Sequence, residues 1–375
     1  MTIPVIDTAD TKHMMGLMTV AISTSNRAKA TYSGVDGKTT FSNVQAEYEP
    51  TTGTILATMK KNGATCRIEL SADGLIYAQY SGADYENAME SPRVPVAKSA
   101  NLAHYAGTYT VTFPRTSEDP AKVAAGTSYA TLKISTKGTA TYSGVMPNGT
   151  TFSGSTKIIA GEDSALVPVF KTSKNGTISA LLDVLPDAKE EYENDNPAII
   201  LAEDGTIPFW SCAKGIATEE NLKAYGGYYA KALNFEDICI SLYAKNAFTL
   251  DLDIDALDWA GSATSIASAP QIEVSFKKSS FVIESVKGVS FTKSSSTGII
   301  SGKVPLTLTN GKTLKANFKG IVLVGWEDCN CGDTPIVPEN RPFVSGTCYF
   351  TDTVNGVRVT RSIPIDLNVQ TDCDE

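Results

Sequence analysis

Apolar and polar residues alternate with a period of two along much of the chain. In Phe248-Thr-Leu-Asp-Leu-Asp-Ile-Asp255 the apolar residues hold positions 248, 250, 252 and 254, and polar residues hold the positions between them. Ile272, Val274 and Phe276 alternate with Glu273, Ser275 and Lys277 in the same way. This period puts one set of side chains on a core and the other in water, which predicts β-strands. Helical periodicity is scarce. Thr218 to Tyr225, with Thr218 as N-cap, predicts one or two helical turns, and Pro120 to Ala124 one more.

Turn signals separate the alternating segments. Asp36-Gly37, Asn62-Gly63, Asp73-Gly74, Asn148-Gly149, Asn175-Gly176, Asp204-Gly205, Asn310-Gly311 and Asn355-Gly356 are all Asn-Gly or Asp-Gly pairs. Such pairs tolerate the positive φ that a two-residue hairpin turn demands. Alternation and turns together predict an all-β protein: tandem small antiparallel β-barrels or sandwiches built from hairpins.

Internal repetition sets the domain organisation. Met18-Thr-Val-Ala-Ile-Ser-Thr24 and Ala30-Thr-Tyr-Ser-Gly34 reappear as Ala130-Thr-Leu-Lys-Ile-Ser-Thr136 and Ala140-Thr-Tyr-Ser-Gly144. Each is followed by Gly, Thr-Thr-Phe and Ser, at 37–42 and 149–153. Asn101-Leu-Ala-His-Tyr-Ala-Gly-Thr-Tyr109 likewise matches Asn221-Leu-Lys-Ala-Tyr-Gly-Gly-Tyr-Tyr229, and an Ala-Lys pair precedes each at 97–98 and 213–214. A unit of about 110–120 residues follows. It predicts a β module over 1–100 that lacks its opening strand, a complete module over 101–220, and a divergent, longer module over 221–375. The acidic run Asp187 to Asp195 reads as a loop between strands.

Composition narrows the function classes. The 375 residues carry a formal net charge of −9 and no basic cluster. That argues against nucleic acid as a partner, because its affinity comes mostly from phosphate neutralisation. It also argues against a polybasic membrane anchor. No apolar run approaches the roughly 20 residues of a membrane-spanning helix, and Gly320-Ile-Val-Leu-Val-Gly-Trp326 is strand-sized. Asp7, Asp10 and Lys12 stand where a signal peptide needs an apolar core, so the expectation is an intracellular protein or a trimmed exported one.

Three stretches resemble a known family. Gly-Thr-Ser-Tyr-Ala-Thr-Leu-Lys-Ile-Ser at 126–135, Gly-Thr-Ala-Thr-Tyr-Ser-Gly at 138–144 and Asn-Gly-Thr-Thr-Phe-Ser at 148–153 are similar to a β-rich repeat module. It occurs in large secreted or surface proteins of planctomycete, verrucomicrobial and lentisphaeral bacteria. In that family a Tyr-x-Gly-x-Tyr strand opens the unit and a Trp-x-x-Ala/Thr-Lys segment closes it, which Trp210-Ser-Cys-Ala-Lys214 fits. Ser296-Thr-Gly-Ile-Ile-Ser-Gly302, followed by Lys315 to Leu323, resembles the last segment of such proteins. The resemblance covers most of 101–375 and, more weakly, 15–100. It implies export, an extracellular or cell-surface location and tandem β modules, and transfers no catalytic residue.

The residues mark few chemical sites. His13 and His104 are the only histidines, one in a polar terminal segment and one at a unit junction, so a His-based triad or metal site is not expected. Their ordinary reading is one flexible terminal His and one capping or packing His. Asp251, Asp253 and Asp255 resemble a calcium loop, but Ala256 and Ser262 stand where such a loop needs Gly and Glu, and alternation explains them as a solvent face. Cys329, Cys331, Cys348 and Cys373 form a candidate disulfide cluster; free thiols and a four-cysteine metal set are the alternatives. Pro335, Pro338 and Pro342 make 328–342 read as a long loop. Trp210, Trp259 and Trp326 are candidate ligand-facing aromatics, with core or cross-strand packing as the plainer role. Dinucleotide, phosphate-loop, nucleophile-elbow and zinc-protease motifs are missing. No catalytic residue, metal or cofactor is assigned. The expectation is a non-enzymatic structural or adhesive protein of the cell surface. Its partners would be protein or glycan there, or copies of itself; nucleic acid and membrane insertion are not expected. A carbohydrate- or protein-binding module and a self-assembling filament or array subunit are the alternatives.

Overall fold

The computed structural model describes residues 1–82, 88–96, 102–117, 126–161, 164–185, 199–212, 218–229, 247–250, 262–270, 272–277, 280–283, 286–323 and 342–368. The alternation becomes antiparallel strands in three sheets that follow one another along the chain. The first sheet holds β1 (Thr2–Ile6), β2 (Met14–Ile22), β3 (Arg27–Gly34), β4 (Gly37–Gln45), β5 (Glu47–Glu49), β6 (Thr54–Lys61), β7 (Ala64–Leu70), β8 (Leu75–Ser81), β9 (Met89–Glu90) and β10 (Val94–Pro95). Its order is β4-β3-β2-β1-β9-β8-β7-β6-β5. β4 also lies against β6, so the sheet curls towards closure around Val5, Tyr32, Phe41, Ile68 and Tyr80.

A 3-10 turn (Leu102–Tyr105) leads into the second sheet. It contains β11 (Gly107–Phe113), β12 (Ser128–Ile134), β13 (Thr139–Val145), β14 (Thr151–Lys157), β15 (Ile159–Ala160), β16 (Ala165–Ser173), β17 (Gly176–Leu185), β18 (Ile199–Ala202), β19 (Phe209–Cys212), β20 (Thr218–Asn221) and β21 (Tyr225–Tyr228). The order β14-β13-β12-β11-β21-β18-β17-β16-β15 repeats that of the first sheet strand for strand. Its ends meet where β14 lies against β16. Tyr142 fastens the curl: its Oη donates to the Phe170 carbonyl at 2.7 Å and accepts from the Phe170 N–H at 3.3 Å.

The third sheet holds β22 (Ala247–Leu250), β23 (Ile266–Ser268), β24 (Ile272–Lys277), β25 (Ser280–Ile283), β26 (Ser290–Lys293), β27 (Ile299–Leu308), β28 (Thr313–Val322), β29 (Pro342–Val354) and β30 (Val357–Asn368). Read from β25, the order β25-β24-β22-β30-β29-β28-β27 follows the frame of the other two, with β26 on the outside of β27. Its core joins Ile272, Leu306, Phe318, Phe350 and Ile363.

The hairpin repeat is scaffold. Tyr32 and Tyr142 are both buried. The β2–β3 and β12–β13 turns are both four residues long, but β3 carries two more residues ahead of its tyrosine, so Tyr32 pairs with Met18 whereas Tyr142 pairs with Leu132. An even shift keeps the same face inward. Of the eight turn pairs, Asn62-Gly63 and Asn355-Gly356 have positive φ at both residues (51° and 81°, 49° and 80°) and close two-residue hairpins. At the other six only the glycine is in the positive region.

Three expectations are corrected. The first module does not lack its opening strand: β1 sits between β2 and β9, as β11 sits between β12 and β21. Its Ile3 and Val5 are fully buried, but a short segment carrying Pro4 hides the strand pattern. The first sheet therefore has no vacant edge at the place of its opening strand. Thr218 to Tyr225 is not helical; it supplies β20 and the start of β21. Finally, the Tyr-x-Gly-x-Tyr copy at 225–229 does not open the third sheet. β21 closes the second sheet by pairing with β11, Tyr228 opposite Tyr109 and Gly227 opposite Thr110, so the two copies of the motif lie side by side. Pairing overrides the propensity of a short segment.

Glycine in the hairpin repeat is demanded by packing. A methyl group on Gly144 would collide with the Tyr129 carbonyl and lie 2.8 Å from the Phe152 ring. Gly144→Ala is expected to destabilise the second module by about 1–3 kcal/mol, measured as a lowered denaturation midpoint; an unchanged midpoint would contradict this packing.

Candidate functional site

Two sequence-selected residues fall in cores. Trp210 is fully buried in the second module, because β19 pairs with β17 and turns the indole inward. It is therefore not a ligand-facing platform. Cys348 is a free thiol, fully buried in the third module, and burial pushes its pKa up to about 12. Its strand position points it at the core rather than at another cysteine, which corrects its place in a disulfide cluster. Cys66 is likewise a buried free thiol raised to about 12 by burial. Cys329, Cys331, Cys373, Trp259, Trp326, Asp251, Asp253 and Asp255 lie outside the described residues, as do the acidic run 187–195 and Pro120 to Ala124.

The histidines separate. His104 is exposed and rests on Tyr105, with ring centroids 3.9 Å apart. His13 is not a flexible terminal residue: it is buried at the junction of the first and second modules. Its Nε2–H donates to Asn221 Oδ1 at 2.8 Å, and its ring stacks on Phe209 at 4.5 Å. The Ile207 N–H donates to the Lys12 carbonyl at 3.0 Å, and Ser179 Oγ to the Met14 carbonyl. Ile6 and Met14 of the first module pack on Phe170 and Leu181 of the second. Next to Asn221, Glu220 pairs with Arg115 at 3.7 Å, both side chains nearly buried.

A second junction joins modules two and three. Thr112 Oγ1 donates to Ser345 Oγ at 2.9 Å, and the Gly126 N–H donates to Ser362 Oγ at 3.1 Å, both buried. Tyr129 and Val145 pack on Ile321 and Leu323. The Asn148-Gly149 turn reaches across to the Tyr349 ring.

The same junction leaves an open cleft of about 450 Å³. Ser143, Ser153 and Lys171 line it from the second module, and Ile299, Ser301 and Lys319 from the third. Lys319 Nζ lies 5.6 Å from the centroid of the Tyr349 ring. A smaller cavity of about 200 Å³ lies between the 148–150 turn and Tyr349.

Two charged groupings link stability to pH. In the third module Arg361 and Asp352 form a buried pair at 3.1 Å, and Arg361 also donates to Ser262 Oγ at 3.0 Å. Burial is the largest influence on Asp352 and opposes its charge. The hydrogen bonds from Ser262, Thr264, the Thr353 N–H and Arg361 together outweigh it, so the carboxyl stays below its ordinary value. In the second module burial raises both Asp183 and Glu203, and the charges of Asp183 and Asp204 raise Glu203 further. Among the described residues, no group of three or more His, Cys, Asp or Glu could hold a metal ion.

These features define a protein of tandem antiparallel β modules whose junctions are packed. No family model and no curated protein matches the sequence.

Neither junction was legible in the sequence. The available signal was lost alternation: β17 is buried at every position from Gly176 to Leu182. An antiparallel strand that reads apolar or small on both faces is covered on both.

The two carboxylate environments predict opposite pH behaviour. Asp352 has a lowered folded-state pKa, so its stabilisation is present at neutral pH and is lost as pH falls through the folded value. Arg361→Met strips its partner and is expected to cost about 3–5 kcal/mol at pH 7, with a smaller cost near pH 3, read from urea unfolding. Glu203 has a raised folded-state pKa, so it favours the fold below the ordinary carboxylate value and loses that contribution as pH rises. Glu203→Gln is therefore expected to raise the melting temperature at pH 7 and to have little effect near pH 4; a lowered value at pH 7 would contradict the assignment.

Proposed function

We propose that this chain is a non-enzymatic secreted or cell-surface protein of tandem β modules, acting as a structural or adhesive spacer. The observation that carries the reading is the double clasp on the middle module, whose two faces are covered by its neighbours through buried hydrogen bonds and apolar contacts. A flexible string of modules needs only linkers. Buried junctions hold each module at a set angle, which a spacer requires to transmit position or force. The resemblance to surface repeat modules supports the extracellular location.

The reading predicts that the modules unfold together. Leu181 lies on the outer side of β17, against Ile6 and Met14 of the first module. Leu181→Asp would bury a lone carboxylate there, so the junction opens instead. The wild-type chain is expected to give a single calorimetric transition, and Leu181→Asp two, with a larger radius of gyration in X-ray scattering. Two transitions and a broad size distribution in the wild type would reject a rigid spacer. Steady turnover of a polysaccharide or peptide library by the purified chain would reject the non-enzymatic part.

A further inference from the structure

The cleft between modules two and three has a composition at odds with the rest of the surface. The chain carries −9, yet the cleft presents two ammonium groups, Lys171 and Lys319. Neither is paired with a carboxylate among the described residues. Lys171 is exposed and Lys319 half-buried, and both line the cleft. They come from different modules, one on β16 and one on β28, and line one cleft because the junction sets the two sheets side by side. Two cations without counter-charge in a concave site focus a local positive potential against the field of the chain.

The remaining lining specifies what accompanies the anion. The hydroxyls of Ser143, Thr151, Ser153 and Ser301 border the cleft. Ser143, Thr151 and Ser153 occupy solvent-facing positions of β13 and β14, where the repeat places small polar side chains. Val145 and Ile299 supply apolar surface between them. Hydroxyl donors and acceptors around an apolar floor complement a sugar ring, with its equatorial hydroxyls and C–H faces. The volume lies within the range of small-ligand sites, roughly 300–1,000 Å³, and holds one or two rings. The side open to solvent leaves room for a chain to continue. A dense polyanion such as nucleic acid is disfavoured by the net negative charge, whereas a polysaccharide with about one charge per ring is not.

We propose that this cleft binds an anionic sugar unit, bearing a carboxylate or a sulfate, within a polysaccharide chain, with Lys171 and Lys319 clasping the anionic group. The inference rests on the fixed junction used in the spacer reading and adds a ligand class to it.

The test is calorimetric titration of the full chain with three probes: oligogalacturonate, its methyl ester, and a sulfated oligosaccharide of similar length. At least one anionic probe is expected to bind and the neutral ester not to bind. Lys171→Ala and Lys319→Ala are each expected to weaken binding about tenfold, the loss of one charge-assisted hydrogen bond, with unchanged melting temperatures. Binding of only the carboxylate or only the sulfate probe assigns the anion. The proposal is overturned if neither anionic probe binds, if the ester binds as well as the acid, or if both lysine variants bind like the wild type. Scattering on the same samples keeps the two readings apart. A rigid particle that binds nothing rejects the cleft alone, and a flexible one rejects the spacer.

Discussion

The structure depends on the burial of the second module from two directions. A free-standing antiparallel barrel hides one face of each strand and wets the other. β3 of the first module does this, with a clean alternation of buried and exposed residues. β17 and β12 of the second module do not: β17 is buried without a break over seven residues and β12 over five. Their outer faces are paid for by neighbours, β17 by the N-terminal module and β12 by the C-terminal one.

Comparison of equivalent strands shows how one scaffold acquires a docking face. β7 and β17 occupy the same place in their sheets. Their inner faces carry Cys66 and Ile68 in one and Ile178, Ala180, Leu182 and Val184 in the other. The outer face of β7 bears Arg67 and Glu69, and Glu69 pairs with Arg93 at the surface. The outer face of β17 bears Ser179 and Leu181, which meet Met14 and its surroundings. Core positions kept their apolar character while outer positions changed from charged to small or apolar. That is the surface chemistry of an interface core, from which charged residues are depleted.

This contrast also explains what the sequence disclosed. Strand period and turn glycines are local properties, so the all-β architecture and the hairpin repeat were readable from Phe248, Ile272 and the Ala-Thr-Tyr-Ser-Gly segments. Closure and docking are not local. Tyr142 looks the same whether it bonds across β13 and β16 or not, and His13 among Asp10, Thr11 and Lys12 looks solvated until Phe209 and Asn221 arrive from 200 residues away. β1 was hidden for a similar reason: Ile3 and Val5 need β2 and β9 before their burial has meaning. The lysines of the cleft were unreadable because Lys171 and Lys319 line one cleft only through the second junction.

The two junctions differ in a way that bears on how the chain works. The first places a histidine, an asparagine and a nearby Arg115–Glu220 pair at the seam. The second uses hydroxyls, Thr112 with Ser345 and Ser362 with the Gly126 N–H, beside an apolar patch. Hydroxyl contacts carry no charge to desolvate, whereas the first seam lies beside a nearly buried ion pair. The cleft lies at the second seam, where the geometry that sets Lys171 and Lys319 in one cleft is held by neutral hydrogen bonds and packing. A site that depends on two modules keeping their distance needs such a joint, closed by packing and buried hydrogen bonds rather than by a linker alone.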